Sequence, residues 1–172
     1  VDSEGMTSLH TACANSNHKI VNELLKYKSK VDVVTKNGHT PLHLAAYSGS
    51  LECVMALIQC SANVNTKTKS ELDSPLHISC LRGHGKVSEY LLDCGAEVDS
   101  LNVLRRTPLH NAAMIGRVDI GKLLLSRGAN ALALDAHAWE PRQIAELNDH
   151  RSFQELIIRE GCVCVSFYLI DQ

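Results

Sequence analysis

At 172 residues, 45% hydrophobic, 21% charged and 4% aromatic, the chain is apolar enough to bury a core but too poor in rings for a large closed aromatic pocket. Its formal net charge of −2 and isoelectric point near 6.5 give no electrostatic ground for nucleic acid or an anionic membrane surface as a partner. The sequence holds no signal peptide and no apolar run of membrane-spanning length.

A tetrapeptide organises the whole chain. TSLH begins at Thr7 and returns as TPLH at Thr40, SPLH at Ser74, TPLH at Thr107 and a decayed EPRQ at Glu140, in steps of 33, 34, 33 and 33 residues. A fixed period of this size identifies a stacked array. The repeats cover about 2–34, 35–67, 68–101 and 102–134, with a degenerate fifth over 135–161 and a non-repeat tail over 162–172.

Each copy reads as two short helices. In Thr40-Pro41, Ser74-Pro75 and Thr107-Pro108 the hydroxyl caps an orphan amide, and proline at the first helical position loses no hydrogen bond. The first helix carries small apolar residues such as Leu42, Ala45 and Ala46, and it stops at Gly49, Gly83 or Gly116, where a left-handed residue carries no steric penalty. The second helix carries larger groups at helical spacing, as in Leu51, Val54, Leu57 and Ile58. Such a pair cannot bury its apolar side alone, so neighbouring repeats must cover it.

Repeat one departs most from this pattern. Ser8 replaces the proline, Ser16 the helix-ending glycine and Lys28-Ser29 the usual Gly-Ala. Because a solenoid end needs a polar outer face, Ile20, Val21, Leu24 and Leu25 in the core positions here lead us to expect a longer array. Lys26, Lys28 and Lys30 read as a solvated loop rather than a phosphate site. Repeat three has one extra residue within 68–73, placed in an exposed turn, and repeat four has Arg105 where glycine is usual. Repeat five keeps Pro141, Ile144 and Ala145 but has Gln143 for the histidine and added charge, as a capping repeat should. The apolar, β-branched tail 162–172 reads first as an irregular cap on repeat five, and otherwise as a strand offered to a partner edge or an alternative or artificial terminus.

No catalytic constellation stands out. Cys13 and Cys80 occupy the positions of Ala46 and Ala113 and read as small core residues. Cys60 and Cys94 share one position in adjacent copies, about 8 to 10 Å apart and too far for a disulfide. Reduced cysteines and the absence of an Asn-x-Ser/Thr acceptor point to an intracellular compartment. The segment Gly83-His84-Gly85-Lys86 is a failed phosphate loop, with Cys80 and Val87 where glycine and Ser/Thr would be needed. Cys162 and Cys164 are too closely spaced for a zinc pair. Metal and cofactor sites are accordingly not expected.

On these residues, above all NGHTPLHLAAYSGSLECVMALIQCSANVNTKTK at 37–69, the chain resembles the ankyrin-repeat family over about residues 2–161. The resemblance implies an all-α solenoid with hairpin connections and a single domain over 1–161. It implies a non-enzymatic scaffold or adaptor, monomeric in isolation, that grips another protein with its concave face. A second reading makes the chain the recognition part of a larger ubiquitin-ligase or kinase-type protein, although nothing after Gly161 resembles a ligase-recruiting box. The resemblance also implies that His10, His43, His77 and His110 hydrogen-bond backbone across the turns. Asn65, with Leu57 eight residues earlier, matches the spacing favoured by an intracellular asparaginyl hydroxylase.

In this fold the hairpin tips and first-helix ends are free to vary, and they are the expected partner surface. Repeats two and three supply mostly polar groups there: Lys36, Asn37, His39, Tyr47, Ser48, Ser70, Glu71 and Asp73. Leu81, Arg82, Val103, Leu104, Arg106, Met114, Ile115 and Trp139 are the expected contact residues, a composition enriched in interface hot spots.

Overall fold

The computed structural model describes residues 1–27 and 29–168, and over 161–168 the backbone alone. Among the described residues there are ten α-helices and no strands. They fall in two compact units, Val1–Glu97 and the part from Val98 onward.

The first unit holds three helix pairs: α1 (Ser8–Ala14) with α2 (His18–Lys26), α3 (Pro41–Ser48) with α4 (Leu51–Gln59), and α5 (Pro75–Arg82) with α6 (Gly85–Asp93). First helices stack on first helices, α1 on α3 and α3 on α5, while α2, α4 and α6 form the second layer. The second unit repeats the plan with α7 (Pro108–Ile115), α8 (Val118–Ser126), α9 (Pro141–Leu147) and α10 (Arg151–Tyr168). There α7 packs on α9 and α8 on α10.

The tetrapeptide does two jobs at once. Thr40 caps α3, and the amide of Thr40 donates to Nδ1 of His43 at 3.1 Å. With Nδ1 accepting, the other ring nitrogen carries the proton, and Nε2 donates to the Asp73 carbonyl of the next hairpin at 3.1 Å. His10 makes the same pair of bonds to Thr7 and the His39 carbonyl, and His110 to Thr107 and the Trp139 carbonyl. All four repeat histidines are fully buried. The backbone role implied by the family resemblance is therefore what His10, His43 and His110 perform. Gln143 keeps half of it, its Oε1 accepting from the Glu140 amide at 2.9 Å.

The core is a file of small and medium apolar side chains. Leu9, Leu42 and Leu76 recur along the first helices of one unit, with Leu57 and Leu91 behind them. The largest fully buried side chain is Phe153 of α10. Its ring occupies the space beside Gly121 of α8, where an added Cβ would lie 2.7 Å from a ring carbon.

Register decides exposure at the first repeat. Ile20 takes the position held by Cys53, Val87 and Ile120 in later copies; those three are buried, whereas Ile20 is 48% exposed. Leu24 and Leu25 are half-buried, while Val21, grouped with them above, is fully buried. The extra residue of repeat three lies in the hairpin, as placed: Thr68 bonds Asp73, five residues on, where Thr35 bonds His39, four on. Cys13, Cys53, Cys60, Cys80 and Cys94 are free thiols.

The tail departs from expectation. Backbone helix α10 runs through Gly161 to Tyr168, where a strand or irregular cap was read. β-Branched composition is a weak preference, and extending an existing helix adds one hydrogen bond per residue without a new nucleus. Residues 169–172 lie outside the described part.

Candidate partner-binding surface

The hairpins between helix pairs are built by one device. A side-chain oxygen at the start of each turn accepts from the amides across it: Asp2 from Glu4 and Met6, Thr35 from His39, Asn102 from Leu104 and Arg106, Asp135 from His137 and Trp139. Such Asx and hydroxyl bonds replace the missing backbone partners of a turn. Neighbouring tips are then tied together, Lys36 N–H to the Glu4 carbonyl and Lys69 N–H to the Asn37 carbonyl in the first unit, and Ala136 N–H to the Leu104 carbonyl at 2.8 Å in the second.

In the first unit the surface is polar with one aromatic platform. The Arg82 guanidinium sits 4.3 Å from the centroid of the exposed Tyr47 ring, a stacking that is attractive because the ring face is negative. His84 Nε2 bonds the Tyr47 carbonyl at 3.1 Å and fixes that end of α3. Ser48 donates to the Cys13 carbonyl at 2.9 Å. Leu81 is 36% exposed beside Arg82.

The second unit differs in kind. Leu101, Val103 and Leu104 in one hairpin, and Leu132, Leu134 and Trp139 in the next, are each between 37% and 53% exposed. Leu101, Leu132 and Leu134 were missed in the sequence. The signal for Leu132 was there: it stands in register with Asp32, Asn65 and Asp99, a position otherwise polar.

Arg106 and Met114 prove to be held rather than free. Arg106 Nε lies 3.2 Å from Asp135 Oδ2, with the carboxylate fully buried, and Nη1 lies 3.5 Å from the Met114 sulfur. Burial pushes the Asp135 carboxyl upward, but the Trp139 and His137 amides and then Arg106 outweigh it, so Asp135 titrates below the usual carboxylate range. Arg106, an expected contact residue, is thus also tied into the neighbouring hairpin. Ile115 is half-buried at the end of α7.

Asn65 also does structural work. Its Nδ2 donates to the Gly95 carbonyl at 3.1 Å and its Oδ1 accepts from the Glu97 amide at 2.9 Å. Asp32 and Asp99 bridge to the amides of Asn63 and Asn130 from the same repeat position. Among the described residues no group of three or more His, Cys, Asp or Glu side chains could hold a metal ion.

The sequence matches the family model described as ankyrin repeats (3 copies) over two stretches, residues 1–68 and 60–135. The chain belongs to the ankyrin-repeat family. Ankyrin repeats are protein-interaction modules with an all-helical repeat fold, and this chain is one such module. Relatives include ankyrin repeat and SOCS box protein 16 of Homo sapiens, 29% identical over 168 residues that cover 74% of this chain and 37% of that protein. Ankyrin repeat and SOCS box protein 3 of Bos taurus is 31% identical over 78% of this chain and 32% of its own length. The E3 ubiquitin-protein ligase KEG of Arabidopsis thaliana is 30% identical over 75% of this chain and 8% of its own. The chain thus spans about a third of the length of the first two, and a small part of the last.

Proposed function

We propose that this ankyrin-repeat domain, taken as one domain over 1–161, is a non-enzymatic adaptor that holds a partner protein against the hairpin tips and first-helix ends. The observation that carries this reading is the exposure of six apolar side chains in two adjacent hairpins of the second unit, at positions stacking does not use. Leu104, Val103 and Trp139 are the anchors there, with Ile115 and Met114 beside them, and Leu81 and Arg82 offer a separate contact on the first unit. The domain acts as an intracellular monomer, without cofactor, nucleic acid or membrane. The near-neutral net charge gives no electrostatic ground for nucleic acid or an anionic membrane surface as the partner. The test is capture from cell lysate on the immobilised domain and on a Leu104→Ser/Leu134→Ser variant. Loss of a captured protein at unchanged melting temperature is expected; equal capture by both would place the interface elsewhere.

A second reading is favoured by the relatives' names. Two are called SOCS box proteins and one a ubiquitin ligase, so the domain would select substrates for a larger ligase protein. Finally, Asn65 is the modification candidate. The Leu57–Asn65 spacing supports it, while the two bridges from Asn65 require the hairpin to open before its Cβ is reached. A single added oxygen on the Asn65 peptide, read by mass spectrometry of protein from human cells, is the expected result; its absence would leave Asn65 a bridge alone.

A further inference from the structure

We propose that the outer face of the first helix pair is a docking face for one further helix pair of the same repeat type, lying ahead of Val1 in the protein. The face is separate from the partner surface proposed above, and neither depends on the other.

Within both units a repeat meets the one before it through three kinds of group. The first is a hairpin amide: Lys36 N–H donates to the Glu4 carbonyl and Lys69 N–H to the Asn37 carbonyl, both at 2.9 Å, and Ala136 N–H to the Leu104 carbonyl at 2.8 Å. The second is an amide past the second helix, where Asn63 N–H donates to the Asp32 side chain, Glu97 N–H to Asn65 and Asn130 N–H to Asp99. The third is an apolar face of the second helix. Cys53 and Leu57 of α4, Val87 and Leu91 of α6, and Phe153 and Ile157 of α10 are all buried, with α2 packed on α4, α4 on α6 and α8 on α10.

Repeat one carries all three in register and meets nothing with them. Ser3 stands 33 residues ahead of Lys36, Lys30 33 ahead of Asn63, and Ile20 and Leu24 33 ahead of Cys53 and Leu57. Among the described residues the N–H groups of Ser3 and Lys30 make no hydrogen bond. Ile20 is 48% exposed, Leu24 is half-buried, and an open cavity of about 250 Å³ lies over Ile20, Leu24 and Tyr27. On α1 the same side is polar, with Ser8 and Thr11 where Pro41 and Leu44 stand in α3, so the apolar contact is made through α2.

The combination selects the occupant. A loose apolar segment would cover Ile20 and Leu24 and leave both amides open, whereas a stacked helix pair brings a hairpin carbonyl to Ser3 and a side-chain oxygen to Lys30 in one register. Because Asp32, Asn65 and Asp99 supply that oxygen in the other copies, the acceptor for Lys30 is an Asp or Asn placed 33 residues ahead of Asp32.

Two experiments test this. The coding sequence upstream of Val1 should specify a Thr/Ser-Pro-Leu-His tetrapeptide 33 or 34 residues ahead of Thr7, the spacing of the other copies, together with that Asp or Asn. Separately, a copy of residues 35–67 is joined directly ahead of Asp2 in place of Val1. The extended chain should melt about 4 to 8 °C higher than the 172-residue chain, and the Ser3 and Lys30 amides should exchange with solvent about tenfold more slowly. Ile20→Lys should remove most of the gain in melting temperature while shifting the 172-residue chain by no more than about 2 °C. An upstream sequence without the tetrapeptide, a melting temperature unmoved by the added repeat, or an equal gain with Ile20→Lys would overturn the proposal. So would sedimentation of the 172-residue chain as a dimer that Ile20→Lys dissociates, which would assign the face to a second copy.

Discussion

At Arg106, one side chain shows how a recognition residue and a structural residue are told apart. It lies 20% exposed, and its nearest charge is a carboxylate with no exposure at all. Two backbone amides also serve Asp135, so removing the guanidinium leaves the carboxylate partly satisfied rather than orphaned. We therefore expect Arg106→Ala to destabilise by about 1 to 3 kcal/mol, the range for a buried polar group that loses one partner. Urea denaturation of the second unit's helices should show it; a midpoint equal to wild type would mean that the pair contributes nothing. This pairing was not legible in the sequence. Thr35, Thr68, Asn102 and Asp135 all take the turn-closing place, and the chain of letters does not show which of them also faces a cation 29 residues away. The opposite holds for His43 and its copies, whose bonds to backbone across the turns are what the family resemblance implies.

Helix boundaries were the most readable features, because each has a chemical marker: α3, α5 and α7 start at the proline of the tetrapeptide and are capped C-terminally by Gly49, Gly83 and Gly116, all at positive φ. Exposure of a helix face was less readable, since it depends on whether a neighbour is stacked there. Ile20 and Ile120 share a register position on α2 and α8, yet one is 48% exposed and the other 0%. Ile20→Lys should change stability by no more than about 0.5 kcal/mol, as surface substitutions do. Ile120→Lys places a charge among apolar side chains and should cost several kcal/mol. Circular dichroism melts of the two variants decide this. A comparable loss in both would mean that α2 is covered in solution. The run of α10 through Tyr168 was unreadable for another reason: nothing in a β-branched segment announces the helix that precedes it.

For the molecule as a whole, the buried imidazoles make stability a function of pH. Burial holds His43 down to about 4, and it also lowers His10 and His110. His39 stands beside His10 and His43 and disfavours further positive charge there, and backbone bonds to each ring act the other way without prevailing. Around His110, Arg106 also disfavours the proton while Asp135 favours it. An unfolded histidine takes a proton near 6.5, so between that pH and the folded value the unfolded chain binds more protons than the native one. The stability these rings contribute is complete above pH 6.5 and falls as the pH drops toward the folded values. For His43 alone the loss by pH 5 is about 2 kcal/mol. Carboxylates add little over this interval: Asp119 and Asp135 are held below their ordinary values and lose their contribution only at lower pH. The melting temperature should therefore drop by several degrees between pH 7 and pH 5. Gln143 shows that an amide can accept from the capping backbone N–H without titrating, which supplies the control. His43→Gln should start less stable, through loss of the bond to the Asp73 carbonyl, but should lose less on acidification than wild type. Parallel pH slopes for the two proteins would show that His43 is not what makes the fold acid-sensitive.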